Sequence, residues 1–368
     1  MRPLAFAALL LLHALPAAEA AARFPFWDGR ESVAAYAARV NLPPVKSFDL
    51  GHGVTLDLVL IPAGQFTMGS PKPPDPTAKV EDAGVLLCVG AALVFSALMI
   101  FLGNFIQRRK FAFSLRWLLF TVIASGFLIA GFTRWHLAEV QAHQYFEAMK
   151  LYDDLPANEK HAHLETIEAP FYMAKFTVTQ AQYEAVTGTN PSTFKGPQLP
   201  VETVSWNDVS DFCAKLSAKL KTQFRTSAAF TLPTEAQWEY ACRAGTTTEF
   251  NTGDTISTDE ANFDGSAASP YLRIAGINRG KTISVGSFKP NAFGLYDMHG
   301  NVWQWCKNAF HEDNSVKVEE SASAYYARNL RGGFWDASPW MCRSASRMSC
   351  LQDVRSSFGF RIILPLDF

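Results

Sequence analysis

The sequence predicts a mixed fold of short helices and short strands joined by ordered loops, interrupted once by a long apolar stretch. Three observations predict it. Aromatic residues make up 13% of the 368 positions, with 9 tryptophans, which suits loops fixed by large side chains rather than a helix bundle. Capped helix starts alternate with strand-like runs across residues 168–368. Between residues 84 and 134 the composition turns abruptly apolar. Lys+Arg 33 against Asp+Glu 34 leaves the chain almost neutral, so there is no basic field to attract nucleic acid.

The N-terminus reads as a secretory signal over residues 1–20. Arg2 gives the positive start, Leu4 to Leu15 the apolar run, Pro16 the break, and Ala18-Glu19-Ala20 a small-x-small cleavage pattern, with cleavage after Ala20 or Ala22. The mature chain would enter a compartment that permits disulfides. Residues 21–54 are mixed, with a short helix over Glu31 to Val40 closed by Pro43-Pro44. Within residues 55–71, the run Leu56 to Pro71 alternates and predicts a hairpin around Pro62-Ala63-Gly64.

Gly84 to Phe105 is apolar except for Ser96 and Asn104, long enough to cross a bilayer. Arg108, Arg109 and Lys110 follow, then a second apolar run, Trp117 to Thr133, between Arg116 and Arg134. The pair predicts a two-helix transmembrane hairpin over residues 84–134, its basic turn cytoplasmic and the main domain extracytoplasmic, in the periplasm or at the cell surface. A buried helical hairpin of a soluble core is the competing reading. In the linker 135–167, His136 to Leu155 reads as an amphipathic juxtamembrane helix. His161 and His163 have no third ligand nearby and fit a solvated linker.

From Glu168 the punctuation is dense. Phe171 to Val178 predicts a strand, followed by a helix capped by Thr179 with Gln182 three residues on. A helix capped by Ser205 or Asn207 carries Val209, Phe212, Cys213, Leu216 and Leu220 on one stripe. Thr234 and Gln237 start another helix, which Gly245 stops. Residues 246–286 are turn-rich. Asn291 to Trp305 reads NAFGLYDMHGNVWQW, in which Gly294, Gly300 and Asn301 are residue types that enter left-handed backbone, and Trp303 and Trp305 would share one face of a strand. The run reads as irregular backbone held in one shape, by a ligand, an ion or a packed core turn. The last segments, LRGGFWDASPWMCRSASR and FGFRIILP, predict strands joined by an irregular loop.

IPAGQFTMGS, PFYMAKFTVT, PVETVSWNDVSDFC, LPTEAQWEYACRAGT, NAFGLYDMHGNVWQW, LRGGFWDASPWMCRSASR and FGFR occur in this order. Together they resemble the formylglycine-generating enzyme family, also called the sulfatase-modifying factor family. The resemblance implies an α+β fold poor in regular structure, related to C-type lectins, with the transmembrane hairpin inserted into a loop of the domain. It also implies an oxidase that converts a sulfatase cysteine to formylglycine with oxygen and a copper(I) ion held by two thiolates, as soft sulfur suits copper(I).

The chain departs from that pattern after Gly332-Gly333. Cys342 matches the family's structural cysteine, and its resembling partner is Cys242, so the resemblance implies a Cys242–Cys342 disulfide worth about 2–4 kcal/mol. Asp336, Ala337 and Ser338 stand where the first catalytic thiol belongs, and Cys350, eight residues beyond Cys342, has the wrong spacing. Cys342 with Cys350 is the one thiol pair left to serve copper. Calcium is also implied, through the Asp297 side chain, the Gly300 and Val302 carbonyls and Gln304, where the family's acid has become an amide. Asn262 and Phe263 resemble the first half of a second ion site.

Two function classes follow. One is a membrane-tethered, extracytoplasmic binding module without the thiol pair, whose partner is a peptide, a glycan or another protein. The other is an active oxidase acting on a sulfatase client.

Overall fold

The computed structural model describes residues 24–73, 133, 136–137, 139–221, 223, 228–310 and 327–366. Two compact units emerge, one of Met1–Ser70 with Ala157–Phe368, the other Pro71–Pro156. The expected signal peptide, residues 1–20, and both apolar runs of the expected hairpin, apart from Thr133, lie outside the described residues. Among the described residues no helix is long and apolar enough to cross a membrane. Within the second unit, residues 139–153 are helical.

The first unit opens with α1 (Val33–Arg39), whose Ser32 cap accepts from the Ala35 amide. Strands β1 (Val45–Gly51) and β2 (Val54–Ile61) follow. A four-stranded antiparallel sheet runs β1-β2-β5-β10, where β5 is Phe171–Ala174 and β10 is Ile363–Pro365. The expected hairpin between β2 and β3 (Gly64–Met68) does not form. β3 pairs instead with β4 (His163–Ile167), from the far side of the second unit in sequence. Pro62 and Ala63 therefore carry the chain from one sheet to another rather than reversing it. The expected strand Phe171 to Val178 ends at Ala174, because the chain there passes from β10 to β9 (Phe358–Phe360): the Ala174 amide bonds the Ile362 carbonyl and the Val178 amide the Phe360 carbonyl.

Three helices carry capping boxes where the spacing predicts them. α3 (Gln180–Thr187) starts at Thr179 with Gln182, and α4 (Trp206–Leu220) at Ser205 with Asp208. α5 (Glu235–Arg243) starts at Thr234 with Gln237 and closes through left-handed Ala244 and Gly245. A short turn of helix, α2 (Ala157–Lys160), precedes β4. The predicted stripe of α4 is buried in full, in a core with Tyr172, Trp305 and Phe360. A second core joins Trp238, Tyr240 and Cys242 of α5 to Phe293, Leu295 and Met298.

A second four-stranded sheet runs β8-β7-β6-β9, with β6 at Trp303–Ala309, β7 at Ala327–Arg331 and β8 at Arg347–Leu351. β6 and β9 are parallel, and the other pairs antiparallel. The two sheets and α5 enclose a set of buried charges. Glu239 accepts from Arg243 and Arg331, Glu159 from Arg343, and Glu235 from Arg347.

This network also closes the root of the second unit. The Ser70 amide bonds the Glu159 carbonyl at 2.8 Å. The Gly69 amide donates to Glu239, and the Gly69 carbonyl accepts from Arg243. Ser70 and Glu159 are thus held together within the first unit.

Candidate functional site

The loop that follows β7 is set by two left-handed glycines, Gly332 and Gly333. An added Cβ at Gly333 would lie 2.5 Å from the Cys342 sulfur, so glycine lets this thiol pack directly on backbone. Phe334 and Trp335 follow, half-buried. The Trp335 amide bonds the Asn301 carbonyl, and the Ala337 carbonyl accepts from the Asp264 amide. Asp336 Oδ1 accepts from Asn278 at 2.8 Å. Pro339–Cys342 forms a 3-10 turn, and Arg343 Nε holds its Trp340 carbonyl at 2.9 Å.

A second wall faces Trp335. The edge of one ring meets the face of the other between Phe194 and Trp335, at 5.7 Å. The wall is built from inside. Buried Gln180 donates to the Phe194 and Pro200 carbonyls and accepts from Asn190 and the Gly196 amide. The Glu202 carboxylate, 3% exposed, accepts from the Thr193 and Phe194 amides and from the Thr203 hydroxyl. Thr203 itself sits at φ 63°, a region that costs a β-branched residue energy and that concentrates at functional sites. Trp340, 38% exposed, and Ile277, 56% exposed, add apolar surface on the 3-10 turn and beside Asn278. A separate cleft of about 360 Å³ is lined by Val45, Val59, Lys175, Phe293 and Tyr296, none of them in this loop.

The five described cysteines are all free. The expected Cys242–Cys342 disulfide is corrected: the Cys242 thiol faces Ser344 Oγ at 3.7 Å and His299 Nε2 at 3.8 Å, while Cys342 turns onto Gly333. Burial pushes both thiols up to about 12. Cys350 lies on β8, half-buried, and burial raises its thiol as well. No cysteine other than Cys342 lies in the loop from Gly332 to Cys342. A copper(I) centre held by two thiolates does not fit this loop, whose one thiol, Cys342, is buried against Gly333.

His299 is buried between partners. Its Nδ1–H donates to the Cys342 carbonyl at 2.7 Å, and Nε2 accepts from the Asn251 amide at 3.2 Å. Burial pulls it down to about 4, so it is neutral and spent on structure.

The residues expected to hold calcium are brought together but do not present a cation site. Asp297, at φ 55°, uses Oδ2 to accept from the Gly286 amide. The Gly300 carbonyl accepts from the Val302 amide, and Gln304 donates its amide nitrogen to the Asp297 carbonyl. Val302 and Phe263 are fully buried. Asn262 donates to Asn301 and to the Lys281 carbonyl, which leaves its own buried Oδ1 without a partner. That is one neutral oxygen, where calcium takes six to eight. Among the described residues no group of three or more His, Cys, Asp or Glu side chains gathers for a metal.

Residues 140–366 match the sulfatase-modifying factor enzyme 1-like domain. The chain belongs to the sulfatase-modifying factor family. Among its relatives are the chaperone protein LppX of Paenibacillus barcinonensis and the formylglycine-generating enzyme of Mycobacterium tuberculosis. LppX is 33% identical over 174 residues, 37% of this chain and 61% of that protein. The mycobacterial enzyme is 33% identical over 155 residues, 36% of this chain and 50% of that one. The chain thus spans about half to three fifths of the length of these relatives. The variable protein 1 of Treponema denticola shares the fold, with a TM-score of 0.55 at 22% identity over 88% of this chain and all of that one.

Sequence reasoning missed Phe194 and Trp335 as facing rings, and buried Gln180 and Glu202 with Thr203 as the groups that hold the Phe194 wall. Glu202 carried the one available signal, a carboxylate between Val201 and Val204. The other residues are joined only by the fold.

Proposed function

We propose that this sulfatase-modifying factor domain is a non-catalytic binding module that takes a polypeptide partner on the aromatic face between Phe194 and the Gly332–Cys342 loop. The observation that carries this is the loop itself. It keeps the family's Gly-Gly turn and the cysteine after it, yet the thiol at Cys342 is buried, while Trp335 is half-buried against Phe194 and Trp340 is exposed. Tyr, Trp and Phe give large contact area at little entropic cost, which is why they dominate binding surfaces. A relative named as a chaperone is consistent with a polypeptide partner. The two apolar runs of the sequence add a membrane tether to this proposal, with the domain on the extracytoplasmic side.

The test is a peptide carrying the sulfatase signature Cys-x-Pro-x-Arg, incubated with the purified protein, copper(I) and oxygen, and then weighed. The expected result is unmodified peptide. Conversion of its cysteine to formylglycine would overturn the reading and make the chain an oxidase. Calorimetric titration with the same peptide reports on binding, and Trp335→Ala is expected to weaken any affinity at least tenfold, the loss of one central aromatic anchor.

A further inference from the structure

The turn that leads into β6 closes its hydrogen bonds in a direction opposite to that of a cation site. Gln304 is 0% exposed. Its amide nitrogen donates to the Asp297 carbonyl at 3.0 Å. Its amide oxygen accepts from the Trp238 indole at 2.9 Å and from Arg361 Nε at 3.2 Å. Two N–H groups on one oxygen fix which end of the amide is which, because the flipped amide would set donor against donor at both. Arg361 is fully buried as well, with its other N–H groups on the Ala174 carbonyl at 2.6 Å and the Tyr296 carbonyl at 2.5 Å. A divalent cation here would have to displace the amide from the Asp297 carbonyl. It would also sit near a buried guanidinium, with Asp297 as the one carboxylate among the expected ligands.

We propose that Gln304 locks this turn in place of a calcium ion, bridging the Asp297 carbonyl to Trp238 of α5 and to Arg361 beyond β9. The bridge does what a structural ion would do: it ties the run Gly294 to Asn301, left-handed at Gly294, Asp297, Gly300 and Asn301, to the two elements packed around it. Only an amide serves both ends. A carboxylate at position 304 would still accept from Trp238 and Arg361. It would leave the Asp297 carbonyl without a donor and aim negative charge at it, and that combination invites a cation. One residue therefore decides whether the turn is self-sufficient or calcium-dependent.

The experiment compares thermal unfolding of the full chain in chelator and in calcium above ~10⁻³ M, the weak end of known sites, for the wild type, Gln304→Glu and Asp297→Asn. The wild-type midpoint is expected to be the same in both buffers. Gln304→Glu is expected to gain a calcium response, roughly 5–10 °C at a hundred times its dissociation constant, that magnesium does not reproduce. A folded Gln304→Glu protein indifferent to calcium would overturn the lock. So would a wild-type midpoint that drops in chelator, recovers with calcium and loses this response in Asp297→Asn, a comparison that stands even where Gln304→Glu does not fold. A wild-type response that Asp297→Asn leaves intact would place the ion elsewhere, as at Asn262, and supports the lock.

Discussion

Glu239→Gln tests whether the buried charges hold the domain together. The Glu239 side chain is 1% exposed and accepts from Arg243 Nε and Nη2, from Arg331 Nη2 and from the Gly69 amide. Burial alone would raise this carboxyl, but Arg243, Arg331 and the Gly69 amide together hold it below the usual range. Glutamine keeps the shape and one acceptor, yet turns an N–H₂ group toward a guanidinium and leaves a buried positive charge uncompensated. Removing one partner of a buried pair costs about 3–5 kcal/mol. For a domain of this size that lowers the midpoint by roughly 5–15 °C. Urea unfolding followed by circular dichroism measures it, alongside Arg331→Gln and the double variant. The double variant should be less destabilised than the sum of the singles by ~1–3 kcal/mol. A loss under about 1 kcal/mol for Glu239→Gln, the value of an exposed pair, would refute the reasoning. The sign with pH follows: a carboxylate depressed in the fold gives stability that is present above its unfolded pKa and lost as pH falls through its folded one.

His299 acts at milder acidity. Its fall from an ordinary 6.5 to about 4 favours the neutral fold above pH 6.5, and roughly 3 kcal/mol of that stability is lost as pH falls toward 4. Stability against pH should therefore sag across this window, and His299→Gln should flatten it. Replacing residues 72–155 by a short Gly-Ser linker should leave the first unit folded with a midpoint within about 5 °C, since closing a different loop length costs little; an insoluble or unfolded product would show that the Ser70–Glu159 closure does not suffice. In native protein a maleimide should label Cys350 ahead of Cys213, Cys242, Cys306 and Cys342, all four released only by denaturant. A non-reducing peptide map that finds Cys242 joined to Cys342 would restore the pairing the resemblance implies.

Local chemistry was legible in the chain wherever its cause is local. Thr179, Ser205 and Thr234 cap helices because an oxygen and a partner three residues on suffice for the purpose. The α4 stripe is buried because its period is that of a helix. Gly294, Gly300 and Asn301 are left-handed, as their types allow. Gly300 is held further by close approach, since a Cβ there would meet the Asn262 carbonyl at 2.2 Å. What failed was non-local. Two strands beside a Pro-Ala-Gly look like a hairpin until a partner from beyond residue 160 takes one of them. Two cysteines that match a known pair look bonded until one sulfur turns onto a glycine. The departures from the family pattern, at Asp336 to Ser338 and at Gln304, were by contrast plain as letters, but their surroundings were not. Only the fold shows Phe334 and Trp335 half-buried and Trp340 exposed on that loop, and the Gln304 amide bonded to the Asp297 carbonyl, Trp238 and Arg361. The buried groups Glu239, Arg331 and Arg361 meanwhile close on partners of the domain's own, so the framework around both stretches is held from within.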